Sequence, residues 1–242
     1  EIFIDGLMKQ SGARRLEKQD RKLPILDENK PIEVKGELDF ENIITIDSKG
    51  SRDLDDAIGY KYINDTTIWL SIYISNVSLW LDALGLWESF SERIATIYLP
   101  DRKRPMLPTC LADCLCSLIE NLRRFAIVCD VTVCNNEIVD ISYKNTLIKV
   151  RKNFRYEEKA MKNDSTYCAI LQKVKTLSRK YKFVRCVNDS HDLIAYLMIL
   201  MNYYSAKEMI KHKNGVYRSA VLGNIPELPD DLPDEFVKFI KV

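Results

Sequence analysis

The sequence predicts an α+β fold. Runs of strand formers crowd residues 41–150, helical periodicity takes over after Tyr156, and the two do not alternate as a doubly wound sheet requires. Apolar residues make up 46% of the chain and charged residues 29%, with eight glycines and eight prolines in 242 residues. That balance fits a globular chain able to bury a substantial core and excludes a largely disordered one.

Residues 1–36 are polar and mixed in charge, with basic clusters at Arg14-Arg15 and Arg21-Lys22 and prolines at 24 and 31; they read as a linker or N-terminal arm before a domain over 37–242. Asn42–Asp47 is a short β-branched run, and Thr67–Ser75 is nine residues rich in strand formers. Leu86–Thr96 and Thr109–Leu118 are expected as short helices. Ala126–Cys134 and Glu137–Val150 are expected as a hairpin around Asn135-Asn136, since asparagine tolerates the positive φ that a two-residue turn demands. Ser165–Tyr181 and His191–Lys213 follow as helices, the second with Leu193, Leu197, Leu200, Met201 and Tyr204 on one stripe, Ser190 as its cap and Gly215 as its stop. From Gly223 the sequence turns rich in proline and aspartate.

Net charge is +1, from 36 basic and 35 acidic residues, but the signs are segregated: an acidic stretch at 227–235 balances basic runs upstream. The seven cysteines form no zinc-knuckle spacing, and His191 and His212 lie far from Cys110, Cys114 and Cys116, so buried free thiols in a reducing, intracellular setting are expected, cytoplasmic or nuclear. No apolar run approaches the ~18 residues of a membrane span, so no membrane partner is expected.

The chemistry concentrates in Asp47-Ser-Lys-Gly-Ser-Arg-Asp53-Leu-Asp55-Asp56. Carboxylates this close repel one another and raise each other's pKa, which a fold tolerates when a cation sits among them. Hard oxygen donors suit Mg²⁺, with Mn²⁺ as a substitute, and a metal so held can act on a phosphodiester. The carboxylate rhythm of an EF-hand and its bidentate Glu are absent, and a phosphoaspartate site lacks its usual partners. On residue chemistry alone, a metal site and a solvated acidic turn both stay open.

The wording around the cluster, Ile44 to Ile58 (ITIDSKGSRDLDDAI), resembles the signature of the RNB family, that of ribonuclease II and ribonuclease R. Three blocks follow in the family's order: Leu70–Ser78; Tyr98–Pro108 with Leu115–Leu118 and Arg124; and Leu197–Asn202 with Tyr217-Arg218. The resemblance implies an RNB catalytic domain with a mixed β-sheet core flanked by helices. It implies a 3′→5′ exoribonuclease that degrades single-stranded RNA to nucleoside 5′-monophosphates with Mg²⁺. By motif, Asp47, Asp53, Asp55 and Asp56 are the metal and catalytic carboxylates, Asp47 and Asp56 the direct ligands, and Asp55 the residue whose loss stops chemistry while sparing RNA binding. Tyr98 matches an aromatic that stacks on a base near the 3′ end; its alternative role is core packing. Arg102, Arg124 and Arg151 are expected on RNA, within basic runs that also hold Lys103, Arg104, Lys144, Lys149, Lys152 and Arg155.

The sequence departs from the family at Asn76, where an acidic residue is usual, and at Ser219-Ala220. The stretch from Tyr156 to His191 is short, so no second aromatic clamp is assigned there, Phe183 being the nearest candidate. The family's Ser-Pro-Ile-Arg-Arg-Tyr block, its S1 domain and its cold-shock domains have no counterpart. The expectation is therefore a C-terminally truncated catalytic domain, roughly its front two-thirds, from a split or degraded gene or as a fragment, with a second chain as one way to supply the missing segments. The alternative is a truncated, catalytically weak or inactive RNA-binding module.

Overall fold

The computed structural model describes residues 42–90, 95–213 and 215. The arm at 1–36, Tyr217-Arg218 and the acidic stretch at 227–235 lie outside the described residues. The chain divides after Tyr204 into two compact units, and the sheet and its site belong to the first.

Among the described residues eight strands form: β1 Ile43–Asp47, β2 Asp56–Tyr62, β3 Thr67–Ser75, β4 Ile97–Tyr98, β5 Lys103–Arg104, β6 Arg123–Cys134, β7 Glu137–Lys149 and β8 Lys152–Arg155. Six of them make one sheet in the order β7-β6-β3-β2-β1-β8, while β4 and β5 make a separate two-stranded hairpin. Neighbours in the large sheet run antiparallel except β1 and β8, which are parallel. The sheet is therefore mixed, and with its helices the architecture is α+β as expected.

Helices are α1 Val77–Leu84, α2 Trp87–Phe90, α3 Lys159–Lys162, α4 Ser165–Lys180 and α5 Ser190–Lys211, with a π-helix at Cys110–Cys116. Of the helix expected over 86–96, Trp87–Phe90 is helical as α2 and residues 91–94 lie outside the described residues; α1, which was not expected, precedes it and is closed by Gly85 at φ +61°. Asp189 rather than Ser190 caps α5: its carboxylate accepts the Asp192 N–H at 3.0 Å, and Asp192 accepts the Asn188 N–H at 2.8 Å in return. Asn135 and Asn136 both take positive φ, +50° and +62°, and close the β6–β7 hairpin where expected.

Strand alternation divides the core. One face of the sheet (Ile44, Ile46, Ile58, Leu70, Ile72, Val131) buries against α4 and α5 through Ile170, Val174, Leu193 and Leu197. The other face gathers Ile43, Ala57, Tyr73, Val128 and Ile148 with Leu54 and Leu118. A third cluster joins α1 and α2 to the π-helix through Leu81, Leu86, Phe90 and Leu111. The strand β2 was hidden in the sequence because Ala57, Ile58 and Gly59 are all buried, which erases alternation. Among the described residues no helix is long and apolar enough to cross a membrane.

Candidate active site

The aspartates come together because β1 ends where β2 begins. Asp47 is the last residue of β1 and Asp56 the first of β2. Between them the chain turns back at Ser48–Ser51, where the Ser51 N–H donates to Ser48 O at 3.1 Å and Gly50 adopts φ +91°. Leu54 is buried and anchors the loop in the second core face.

Backbone hydrogen bonds pin this loop on two sides. Leu54 N–H donates to Ser117 Oγ at 3.1 Å, Ser117 Oγ donates to Arg52 O at 2.7 Å, and Leu118 N–H donates to Leu54 O at 2.9 Å. From the end of β3, Ser75 N–H donates to Asp55 O at 2.8 Å, and Ser75 Oγ to Cys116 O at 2.6 Å. Arg124 then grips the π-helix, donating to the carbonyls of Ser117, Cys114 and Arg123, each at 2.9 Å. Expected on RNA, Arg124 is instead fastened to backbone carbonyls behind the aspartate loop.

The carboxylates differ electrostatically. Burial pushes Asp47 up to about 7, against a lowering hydrogen bond from Thr45 and with repulsion from Asp56, Asp55 and Asp53 adding to it. Burial likewise pushes Asp56 up to about 6, helped by Asp55. Asp55 is raised by desolvation on its inner side, then by Asp53, with Asp113 of the π-helix adding and Lys103 opposing. Asp53 goes the other way: burial would raise it, but the hydrogen bond from Lys103 and backbone N–H groups hold it below the ordinary aspartate range. Asp113 is thus a further carboxylate facing the cluster, outside the sequence motif that marked the other four.

Asp47 Oδ2 is buried and has no hydrogen-bond partner, a costly condition for a carboxylate oxygen. Among the described residues, no three His, Cys, Asp or Glu side chains gather closely enough to cage a metal by themselves. Mg²⁺ needs no such cage: it keeps several waters and is bound through one or two carboxylates plus substrate phosphate. The oxygen donors and the orphaned Oδ2 fit it. The cysteines beside the site make no such case, Cys116 being buried and Cys110 and Cys114 half-buried as free thiols.

The β4–β5 hairpin stands beside the loop. Tyr98 pairs with Lys103 across it, and the Leu99 N–H donates to Arg102 O at 2.9 Å to close its turn. Lys103 Nζ reaches Asp53 Oδ2 at 2.5 Å. Tyr98 is 76% exposed, so it does not pack in a core. Arg102 is also exposed, in a loose 3.6 Å pair with Asp101. Arg151, by contrast, donates from Nη2 to both oxygens of Asp164, at 3.0 and 2.8 Å, while Asp164 caps α4 through the Tyr167 N–H. Lys144 and Lys152 are similarly engaged, with Asp130 at 2.7 Å and Glu120 at 3.1 Å. Of the four residues expected on RNA, Tyr98 and Arg102 face outward and Arg124 and Arg151 are tied into the fold.

Asn76 and the clamp candidate Phe183 both have partners within the fold. Asn76 caps α1, accepting the Leu79 N–H at 3.2 Å, and donates to Asn145 Oδ1 at 2.9 Å. Phe183 packs edge-on against Tyr196, with ring centroids 5.5 Å apart.

One aromatic at the site escaped sequence reasoning. β8 sets Arg155 beside Asp47, and the next residue, Tyr156, donates its N–H to Asp47 O at 3.0 Å. Its hydroxyl is raised by burial and then by Asp56 and Asp47. Its ring stacks on His191, centroids 3.8 Å apart and 8° from parallel. Only the parallel β1–β8 pairing brings Tyr156 here, and no local pattern announces that pairing.

Known proteins resemble this chain in sequence and fold. The sequence profile described as RNB domain matches residues 36–185. Exoribonuclease 2 of Vibrio parahaemolyticus is 36% identical over 135 residues, covering 52% of this chain and 20% of its own length. Ribonuclease R of Ureaplasma parvum is 35% identical over 114 residues, covering 47% and 16%. The solved structure of Mycoplasma genitalium RNase R in complex with ribose methylated single-stranded RNA superposes with a TM-score of 0.65 at 22% identity, over 86% of this chain and 37% of that one. The chain thus spans about a fifth of the length of the curated relatives it matches. With a profile match over more than half its residues, the chain belongs to the RNB domain family.

Proposed function

We propose that the chain is part of a 3′→5′ exoribonuclease that hydrolyses single-stranded RNA to nucleoside 5′-monophosphates, with Mg²⁺ held at the aspartate cluster. The observation that carries this reading is Asp47 Oδ2, a buried carboxylate oxygen without a partner amid neighbouring carboxylates whose pKa values are raised. The names of its relatives, exoribonuclease and ribonuclease R, support RNA as the substrate.

Asp47 and Asp56, the two most strongly raised carboxylates, would hold the cation. When bound, Mg²⁺ supplies charge for a phosphoryl oxygen and lowers the pKa of its water. Asp55 reaches solvent at the rim and accepts or orients protons there. Asp53, neutralised by Lys103, anchors the hairpin. Tyr98 offers an exposed ring on which any base can stack, which suits degradation without sequence preference. Arg102 adds a phosphate contact from the same turn.

A second reading, an RNA-binding module that does not cleave, is favoured by one observation: among the described residues the carboxylates do not converge into a three-ligand group. A 5′-labelled single-stranded RNA incubated with Mg²⁺ separates the two. Products shortening from the 3′ end, abolished by Asp55→Asn with RNA retention intact, support the nuclease. RNA retention at low salt that ignores Mg²⁺ and survives loss of the aspartates, with no metal-dependent product, supports the silent module.

A further inference from the structure

Two side chains outside the aspartate motif, Thr45 and Asn153, are linked on the strand face that carries Asp47. On β1, Thr45 and Asp47 stand on one face while Ile44 and Ile46 enter the core on the other. β8 pairs Asn153 with Thr45 in parallel register, so their side chains share that face. Asn153 Nδ2 donates to Thr45 Oγ1 at 2.9 Å and to Leu118 O at 3.0 Å, while its Oδ1 accepts the Glu120 N–H at 2.7 Å. Turning the amide over would set donor against donor at Glu120 and acceptor against acceptor at Leu118, so its polarity is fixed.

That polarity passes to Thr45. Its oxygen already accepts from Asn153, and its single hydroxyl proton is left to donate. Thr45 is fully buried, which removes bulk water as a partner; it stands two residues from Asp47 on the same strand face, and its hydroxyl lowers the Asp47 carboxyl against the effect of burial. Asp47 Oδ2 remains unpartnered. We infer that Asn153 and Thr45 form a positioning relay for Asp47, holding its carboxyl so that one oxygen stays free for a divalent cation. This rests on the metal reading proposed above, but the relay concerns the chain's own residues and can fail separately.

Mn²⁺ titration of the full chain without RNA, followed by electron paramagnetic resonance, reads affinity independently of turnover. Groups that orient a metal ligand typically matter by about 10–100-fold in affinity. Thr45→Val keeps the side-chain shape and removes the hydroxyl, so its Mn²⁺ dissociation constant should rise by about 10-fold or more. Thr45→Ser restores the hydroxyl and should restore the affinity. Asn153→Ala, at a half-buried position, tests the relay from β8 and serves if the strand substitution unfolds the chain; urea melts check each variant. Wild-type affinity in folded Thr45→Val or Asn153→Ala, with binding lost in Asp47→Asn, overturns the relay and leaves the metal reading standing. Equal losses in Thr45→Val and Thr45→Ser also overturn it. No saturable Mn²⁺ binding by the wild type overturns both.

Discussion

Lys103 Nζ lies 2.5 Å from Asp53 Oδ2, so the hairpin that presents Tyr98 is fastened to the aspartate loop by an ion pair. Both side chains are about one-third exposed (32% and 30%), and a pair so placed contributes at most about 1 kcal/mol. Lys103→Met should therefore lower stability by no more than about that amount in urea melts at neutral pH. Asp53 is held below its ordinary value, so the contribution is present above the usual aspartate range and is lost as pH falls through the lowered value. Wild type and variant should converge in acid.

The metal-free protein should lose stability as pH rises from about 4 to about 7, the opposite of an ordinary salt-bridged aspartate. Asp47 and Asp56 keep their protons to about 7 and about 6 when folded, whereas the unfolded chain gives them up near 3.8. The native state then binds more protons across that window, and stability falls with pH. Thermal melts at several pH values would reveal the slope. Asp47→Asn should flatten it, and saturating Mn²⁺ should offset it at pH 7.

Tyr98→Ala should leave the melting temperature unchanged, because the ring is exposed. A stacked base is worth ~1–3 kcal/mol, so affinity for single-stranded RNA should fall by roughly 5- to 150-fold in fluorescence anisotropy, with Tyr98→Phe close to wild type. An unaltered affinity for Tyr98→Ala would remove the hairpin from the RNA path.

Arg102 and Arg124 should part company. Arg102→Ala should spare stability and reduce the slope of log affinity against log salt by about 0.7, the signature of one lost phosphate contact on a single strand. Arg124→Ala leaves three backbone carbonyls without its guanidinium and should cost about 1.5–3 kcal/mol of stability with little change in that slope. Denaturant melts and salt-dependent binding, run on the same two variants, check both halves.

What could be seen in the sequence was whatever is local. The four aspartates occupy one loop, and Asn135-Asn136 occupy one turn, so both were legible. β2 was not, since burial on both faces removes the alternation that marks a strand. Arg124 and Arg151 were assigned to RNA because charge alone does not distinguish a free guanidinium from one held by carbonyls or by Asp164. Thr45, Asn153 and Tyr156 were missed for a different reason: their relation to Asp47 exists only once β8 lies beside β1.

That pairing also sets when the site comes into being. Contacts between segments far apart in the chain form slowly, and parallel pairings are among the slowest. During synthesis the aspartates emerge early, but the strand that orients Asp47 emerges only with Lys152–Arg155. A growing chain therefore carries its acidic loop unassembled until Lys152–Arg155 have emerged and can lie beside Ile43–Asp47.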